Sequence, residues 1–255
     1  MGSVYIPPVR LAVLEADTPV PGAKAKFGSY GGVFKHLFER ACASLSPPVP
    51  LSSLLELSSH DVVNDLSSYP DPATIDAILI TGAKYSAYDN DEWILRLVEY
   101  TKKCLDGGRV RVVGICFGHQ IVGRALGCHV GQSRNGWELS VTEHKLTDEG
   151  KKLFGLEKMA IHQMHRDAVF SYPPGAVPLA RTEACPVQAM YIPRKVITVQ
   201  GHPEFNEEIV REILEMRRYG GILSVDVFED GMRRVANKHD GVAVARAFLR
   251  FLREY

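Results

Sequence analysis

The sequence has no C-x-x-C pair. Its five cysteines, Cys42, Cys104, Cys116, Cys128 and Cys185, are odd in number and widely scattered. That spacing excludes a disulfide framework or a cysteine-based zinc site and fits reduced thiols. No stretch approaches the roughly eighteen consecutive apolar residues that would span a bilayer. The first ten residues lack the basic region and apolar stretch of a signal peptide. A cytoplasmic protein without membrane attachment is therefore expected. Charge of one sign is also missing: 30 basic residues balance 30 acidic ones, with no run of five like charges. This removes the usual electrostatic case for nucleic acid or a membrane surface and leaves a small molecule as the expected ligand. There is no P-loop signature, internal repeat or low-complexity segment.

The 255 residues suit one large domain. Its core is expected over about residues 9–217, with a C-terminal helical extension over 218–255. Short β-branched runs at Val9 to Glu15, Ile75 to Ile80 and Val110 to Ile115 read as buried strands. Helical patterns follow at Phe34 to Ala41, from about Asn90 to Leu105, and over Phe117 to Leu126. The Gly/Pro-rich stretch from Ala16 to Gly32 reads as a loop. Beyond Cys128 the pattern turns to short strands, at 139–141, 159–162, 177–180, 187–192 and 196–200, with helices expected over 206–217 and 242–252. The fold class is α/β: a doubly wound, mostly parallel central sheet with helices on both faces and a mixed second half. The site of such a sheet lies at the carboxyl ends of its strands.

Gly114-Ile115-Cys116-Phe117-Gly118 follows an apolar strand and opens a helix. That is the logic of the G-x-S-x-G nucleophile elbow, with sulfur in place of the hydroxyl. A cysteine there meets the N–H groups and dipole of a helix N-terminus, which favour thiolate. The plainer alternative is a small buried thiol between two glycines. A thiolate nucleophile needs a base, and the base an orienting partner. His202-Pro203-Glu204 offers both, because in extended backbone residues two apart share a face and Pro203 biases His202 toward that state. Taken alone, a His-x-Glu is as readily a solvated loop. His119, His162 and His165 have no spacing that suggests a zinc site, so no metal is expected.

GICFGHQIVGRALG (114–127) with QGHPEF (200–205) resembles the class I glutamine amidotransferase family, and the resemblance spans about Arg10 to Leu214. It implies that Cys116, His202 and Glu204 form a catalytic triad. It implies an oxyanion hole from the backbone N–H of Phe117 and that of Ala83 or Gly82, within Thr81-Gly82-Ala83. Many relatives carry a second glycine where this chain has Ala83, and a β-carbon is tolerated there only if φ stays negative. The resemblance also places Gln120 against the bound substrate. It sets Met164-His165-Arg166-Asp167 along the pocket for the substrate's α-amino and carboxylate groups, where Arg166 and Asp167 have the opposite charges a zwitterion needs. Trp137 is either a pocket wall or core.

The implied reaction is cysteine-dependent hydrolysis of a γ-glutamyl amide through a thioester, with no cofactor. If the leaving group is ammonia, the chain is a glutaminase that requires a separate ammonia-accepting synthetase as partner. If it is a larger amine, the chain is a stand-alone γ-glutamyl peptidase acting on peptides or glutathione-derived conjugates. Lys26 to Gly32 and Tyr88 to Trp93 look more like that stand-alone branch. An esterase on the same elbow and a catalytically silent binding module are the remaining readings.

Overall fold

The computed structural model of the chain describes residues 7–254. Among these, a nine-stranded sheet runs in the order β2-β1-β3-β4-β11-β10-β9-β6-β7. Strands β1 (Val9–Glu15), β2 (Leu55–Asp61), β3 (Ala77–Ile80), β4 (Arg111–Ile115) and β11 (Val196–Val199) are parallel. Strands β6 (Glu138–Leu146), β7 (Lys158–His165), β9 (Val177–Arg181) and β10 (Ala189–Ile192) continue the sheet in antiparallel pairing. The expected mixed second half is this extension. Two short strands, β5 (Val130–Gln132) and β8 (Asp167–Val169), pair separately.

Alternation along each central strand sends residues to opposite faces, and both faces are covered. Leu11 and Val13 point to a cluster with Phe34, Leu37 and Phe38 of α2 (Tyr30–Ala43) and Val244 and Phe248 of α8 (Gly241–Phe251). Ala12 and Leu14 point the other way, to Ile94 and Leu97 of α3 (Glu92–Gly107) and Ile121 and Val122 of α4 (Phe117–Ala125). The apolar core thus reaches well beyond residue 217. Helix α8 packs within the main core, because its apolar stripe is needed to cover the face that α2 leaves open.

Three helices escape the sequence reading. Pro21–Phe27 (α1) looked like loop, yet Pro21 sits in the first turn, where its missing N–H costs nothing. Asp148–Phe154 (α5) and Val225–Arg234 (α7) are short, but each has a cap: Thr147 accepts from the Gly150 N–H and Ser224 from the Val227 N–H. Helix α6 (Glu207–Tyr219) is capped by Asn206 and packs with α1 and α2 over the carboxyl edge of the sheet. Helix α7 is tied to β6 by Arg234, whose Nη1 donates to the carbonyls of Leu139 at 2.7 Å and Val141 at 3.0 Å. Arg234→Ala leaves both acceptors without that donor and is expected to destabilise the protein by about 2 kcal/mol in urea unfolding.

Candidate active site

Four adjacent parallel strands deliver polar groups to one end of the sheet. Asp17 follows β1, Gly82 follows β3, Cys116 follows β4 and His202 follows β11. Cys116 is the residue between β4 and α4, and its backbone is held at φ 50°, ψ −102°. A non-glycine residue pays about 1–3 kcal/mol for such a conformation, so the surrounding structure must impose it. Its N–H donates to Val199 O at 3.0 Å, and its carbonyl accepts from the Gln120 N–H at 3.0 Å. The flanking glycines serve close approach. A Cβ on Gly114 would lie 2.7 Å from Gly118 O, and one on Gly118 would overlap Ile80 O. The sharp turn and the tight seat of α4 on β3 both follow.

His202 is anchored from several sides. Its N–H donates to His162 O at 2.7 Å, and its ring stacks on Phe205 with centroids 4.0 Å apart. Its Nδ1 lies 2.8 Å from Glu204 Oε1, and the Glu204 side chain is wholly buried. The other edge of the ring faces Cys116: a Cβ placed on Gly82 would sit 2.6 Å from His202 Cε1 and 3.6 Å from Cys116 Cβ. Burial works against the imidazolium, but its charge interactions and hydrogen bonds with Cys116 and Glu204 outweigh it and raise the His202 pKa to about 10. Thiol, imidazole and carboxylate are thus brought together at one end of the sheet.

The thiol opens onto a cleft of about 700 Å3, within the range of sites that enclose a drug-sized ligand. All the sequence-predicted site residues line it except Glu204, which stands behind His202. Ala83 is not among the residues with positive φ, so its β-carbon is accommodated. Phe117 is the first residue of α4, and its N–H has no intrahelical partner. Asp17 accepts from the Lys84 N–H and Nζ, both at 2.8 Å, and Thr81 Oγ1 accepts from the Ala16 N–H at 2.9 Å. These bonds clamp the Gly82–Ala83 loop to the segment after β1.

Gln120 is buried, and its amide group donates to Asp167 O at 2.9 Å and Gln200 Oε1 at 3.1 Å. Its carbonyl oxygen is the atom left for a ligand. Asp167 accepts from Ser86 Oγ at 2.9 Å. His165 Nε2 pairs with the buried Glu138 carboxylate at 3.1 Å; burial pushes the Glu138 pKa up, but the hydrogen bond and charge of His165, with Thr182 and His144, outweigh this and hold it below its usual range. Trp137 is half-buried and does both jobs weighed for it, packing on the cluster under α6 and lining the cleft. His119 bonds Thr198 and Val187, and the His162 ring lies tilted against His239, with centroids 4.9 Å apart. Burial drives the pKa of each down to about 3, so both are neutral. Among the described residues no group of three His, Cys, Asp or Glu is arranged to hold a metal ion, and no helix is long and apolar enough to cross a membrane.

Residues 53–215 match the family model described as glutamine amidotransferase class-I, which is well over half of the chain. The chain belongs to the class I glutamine amidotransferase family. It is 35% identical over 249 residues to a putative glutamine amidotransferase-like protein of Schizosaccharomyces pombe, covering 96% of this chain and 99% of that protein. It is 34% identical over 159 residues to gamma-glutamyl peptidase 3 of Arabidopsis thaliana, covering 60% of this chain and 61% of the peptidase. The crystal structure of a glutamine amidotransferase from Thermotoga maritima superposes with a TM-score of 0.69 at 16% identity, over 96% of this chain and 99% of that one. This last likeness shows the α/β fold.

The sequence reading missed Tyr30, Asp17, Glu138 and Arg217. Arg217 carries only the mark of a late arginine on a helix, which the helix dipole accounts for by itself.

Proposed function

We propose that this amidotransferase-family chain hydrolyses γ-glutamyl amide bonds as a stand-alone cysteine enzyme. The observation that carries the reading is the strained Cys116 facing a buried imidazole that is itself bonded to a buried carboxylate. In this mechanism ionised Cys116 attacks the γ-carbonyl carbon. The N–H groups of Phe117 and of Ala83 or Gly82 receive the developing oxyanion. His202 gives its proton to the departing amine, the C–N bond breaks, and a γ-glutamyl thioester remains. His202 then takes a proton from water as the hydroxide attacks, and glutamate leaves with Cys116 restored. Glu204 orients the imidazole and stabilises its charged form.

The cleft volume favours an amine larger than ammonia, because the γ-glutamyl group alone would leave much of about 700 Å3 unfilled. The similarity to proteins named gamma-glutamyl peptidases points the same way. Family membership keeps a glutaminase feeding a separate synthetase as the second reading. The test is to incubate the purified protein with glutamine, with γ-glutamyl dipeptides and with a glutathione S-conjugate, following ammonia, free amine and glutamate. Release of amine from the dipeptides or conjugate supports the proposal. Turnover of glutamine only after a second protein is added would favour the glutaminase, and no turnover of any γ-glutamyl compound would point to a binding module.

Gly82→Ala probes the same geometry without touching a reacting atom. Its β-carbon would push into the His202 ring. A displacement near 1 Å is expected to lower kcat/KM by about 100-fold, measured with the best γ-glutamyl substrate, while the circular dichroism spectrum stays that of the wild type.

A further inference from the structure

Two guanidinium groups lie against the Trp137 ring on the wall of the cleft: Arg166 at 5.3 Å and Arg217, near the end of α6, at 4.8 Å from the ring centroid. They differ in their other partners. With the Gln132 amide oriented to satisfy both side chains, its oxygen accepts from Arg166 Nε at 3.0 Å and Nη2 at 2.6 Å. The Arg217 guanidinium makes no hydrogen bond and no ion pair among the described residues. The carboxylate in its surroundings, Asp17, is engaged by Lys84 and by the Thr18 N–H. Arg217 is half-buried, the desolvation lowers its pKa, and no carboxylate is committed to it.

Tyr30 opens α2 beside it. The ring is buried, the residue lines the cleft, and its hydroxyl is bonded to nothing among the described residues, with Asp17, Cys116 and Arg217 nearby. Gln120, His165, Arg166 and Asp167, the groups expected to hold the γ-glutamyl moiety, line the same cleft. Beyond those groups the cleft therefore presents a second guanidinium and a hydroxyl, from α6 and α2, that no protein group engages among the described residues. Exposed Met216 and Ile222 also line the cleft and offer apolar surface to the amine's side chain.

We propose that Arg217, backed by Trp137 and flanked by Tyr30, binds a carboxylate on the leaving amine. The substrates are then γ-glutamyl amino acids or peptides with a free C-terminal carboxylate rather than glutamine or γ-glutamyl alkylamines. A planar guanidinium with all its donors available suits a carboxylate better than any other group such amines carry. This inference rests on the hydrolase reading above.

The test compares matched pairs: γ-glutamyl-alanine with γ-glutamyl-alaninamide, and glutathione with its C-terminal amide. The wild type is expected to favour each free acid by about tenfold to 100-fold in kcat/KM, the range of a hydrogen bond to a charged group. In Arg217→Gln that ratio should fall to within about threefold of unity, and Arg217→Lys should retain part of it through its charge. Tyr30→Phe, which removes only an oxygen, should lower the ratio by about threefold and serves if the Arg217 variants fail to fold. A wild-type ratio near unity overturns the proposal. So does an equal loss on both members of a pair, which would place Arg217 on the γ-glutamyl carboxylate instead. Failure of the wild type to cleave any γ-glutamyl compound would sink the hydrolase reading itself and this inference with it.

Discussion

Cys116→Ala is expected to reduce γ-glutamyl hydrolysis by on the order of 10^4-fold or more, because in the proposed mechanism the acyl bond forms on its sulfur. Cys116 is the only cysteine lining the cleft, and the other four lie elsewhere. The substitution removes one buried sulfur and leaves the elbow without its nucleophile. Its folding cost needs a control, since alanine at φ 50° is no better placed than cysteine. Urea unfolding should show a change of about 1 kcal/mol or less. Intact-mass analysis after rapid acid quench should detect a γ-glutamyl adduct on the wild type and none on the variant. A variant that keeps more than a few per cent of the activity would remove Cys116 from the chemistry.

Glu204→Gln is expected to lower kcat by about 10^2- to 10^4-fold, as seen when the orienting acid of a triad is neutralised. The carboxylate is fully buried, bonds His202 through Oε1, and has no partner at Oε2. Its charge is thus compensated mainly by that imidazole. The pH dependence of stability gives an independent readout. In the fold His202 holds its proton up to about pH 10, against an ordinary value of 6.5. Between those values the native state binds more protons than the unfolded chain, so unfolding free energy falls as pH rises. The contribution of this site is complete below about pH 6.5 and fades toward pH 10. In Glu204→Gln the His202 pKa drops and the slope over this range should flatten. An unchanged slope would show that the carboxylate does not hold that proton.

Much of this architecture was legible along the chain. The buried parallel strands β1, β3 and β4 are short, β-branched and apolar on both faces, so they stand out from their polar surroundings. Strand β2 carries a weaker signal, because at the sheet edge its sequence LELSSHD keeps little apolar alternation. The helices α1, α5 and α7 were missed for a related reason. Each is short and owes its place to a cap, a first-turn proline or packing against its neighbours rather than to a long periodic stripe. The elbow was the clearest site signal, because the close approach of β4, α4 and β3 demands glycine at 114 and 118 whatever the rest of the chain does. Arg217 and Tyr30 carried no comparable mark. Their place beside Cys116 depends on how α2 and α6 pack over the sheet edge.

By itself the sequence determined the local chemistry: a cysteine forced into a sharp strand-to-helix turn, a histidine two residues from a glutamate on extended backbone, and an α/β pattern that puts such groups at strand ends. These are short-range consequences of sterics and periodicity, and they hold wherever the segments sit in space. Only the tertiary structure decided which charges are satisfied and which are not. It tied Arg166 to Gln132 and Asp17 to Lys84, kept Arg217 free against Trp137, and raised the His202 pKa through Cys116 and Glu204. Pairing and desolvation depend on distances between residues remote along the chain, and those distances exist only once the sheet, its two helical layers and α6 have closed around the cleft.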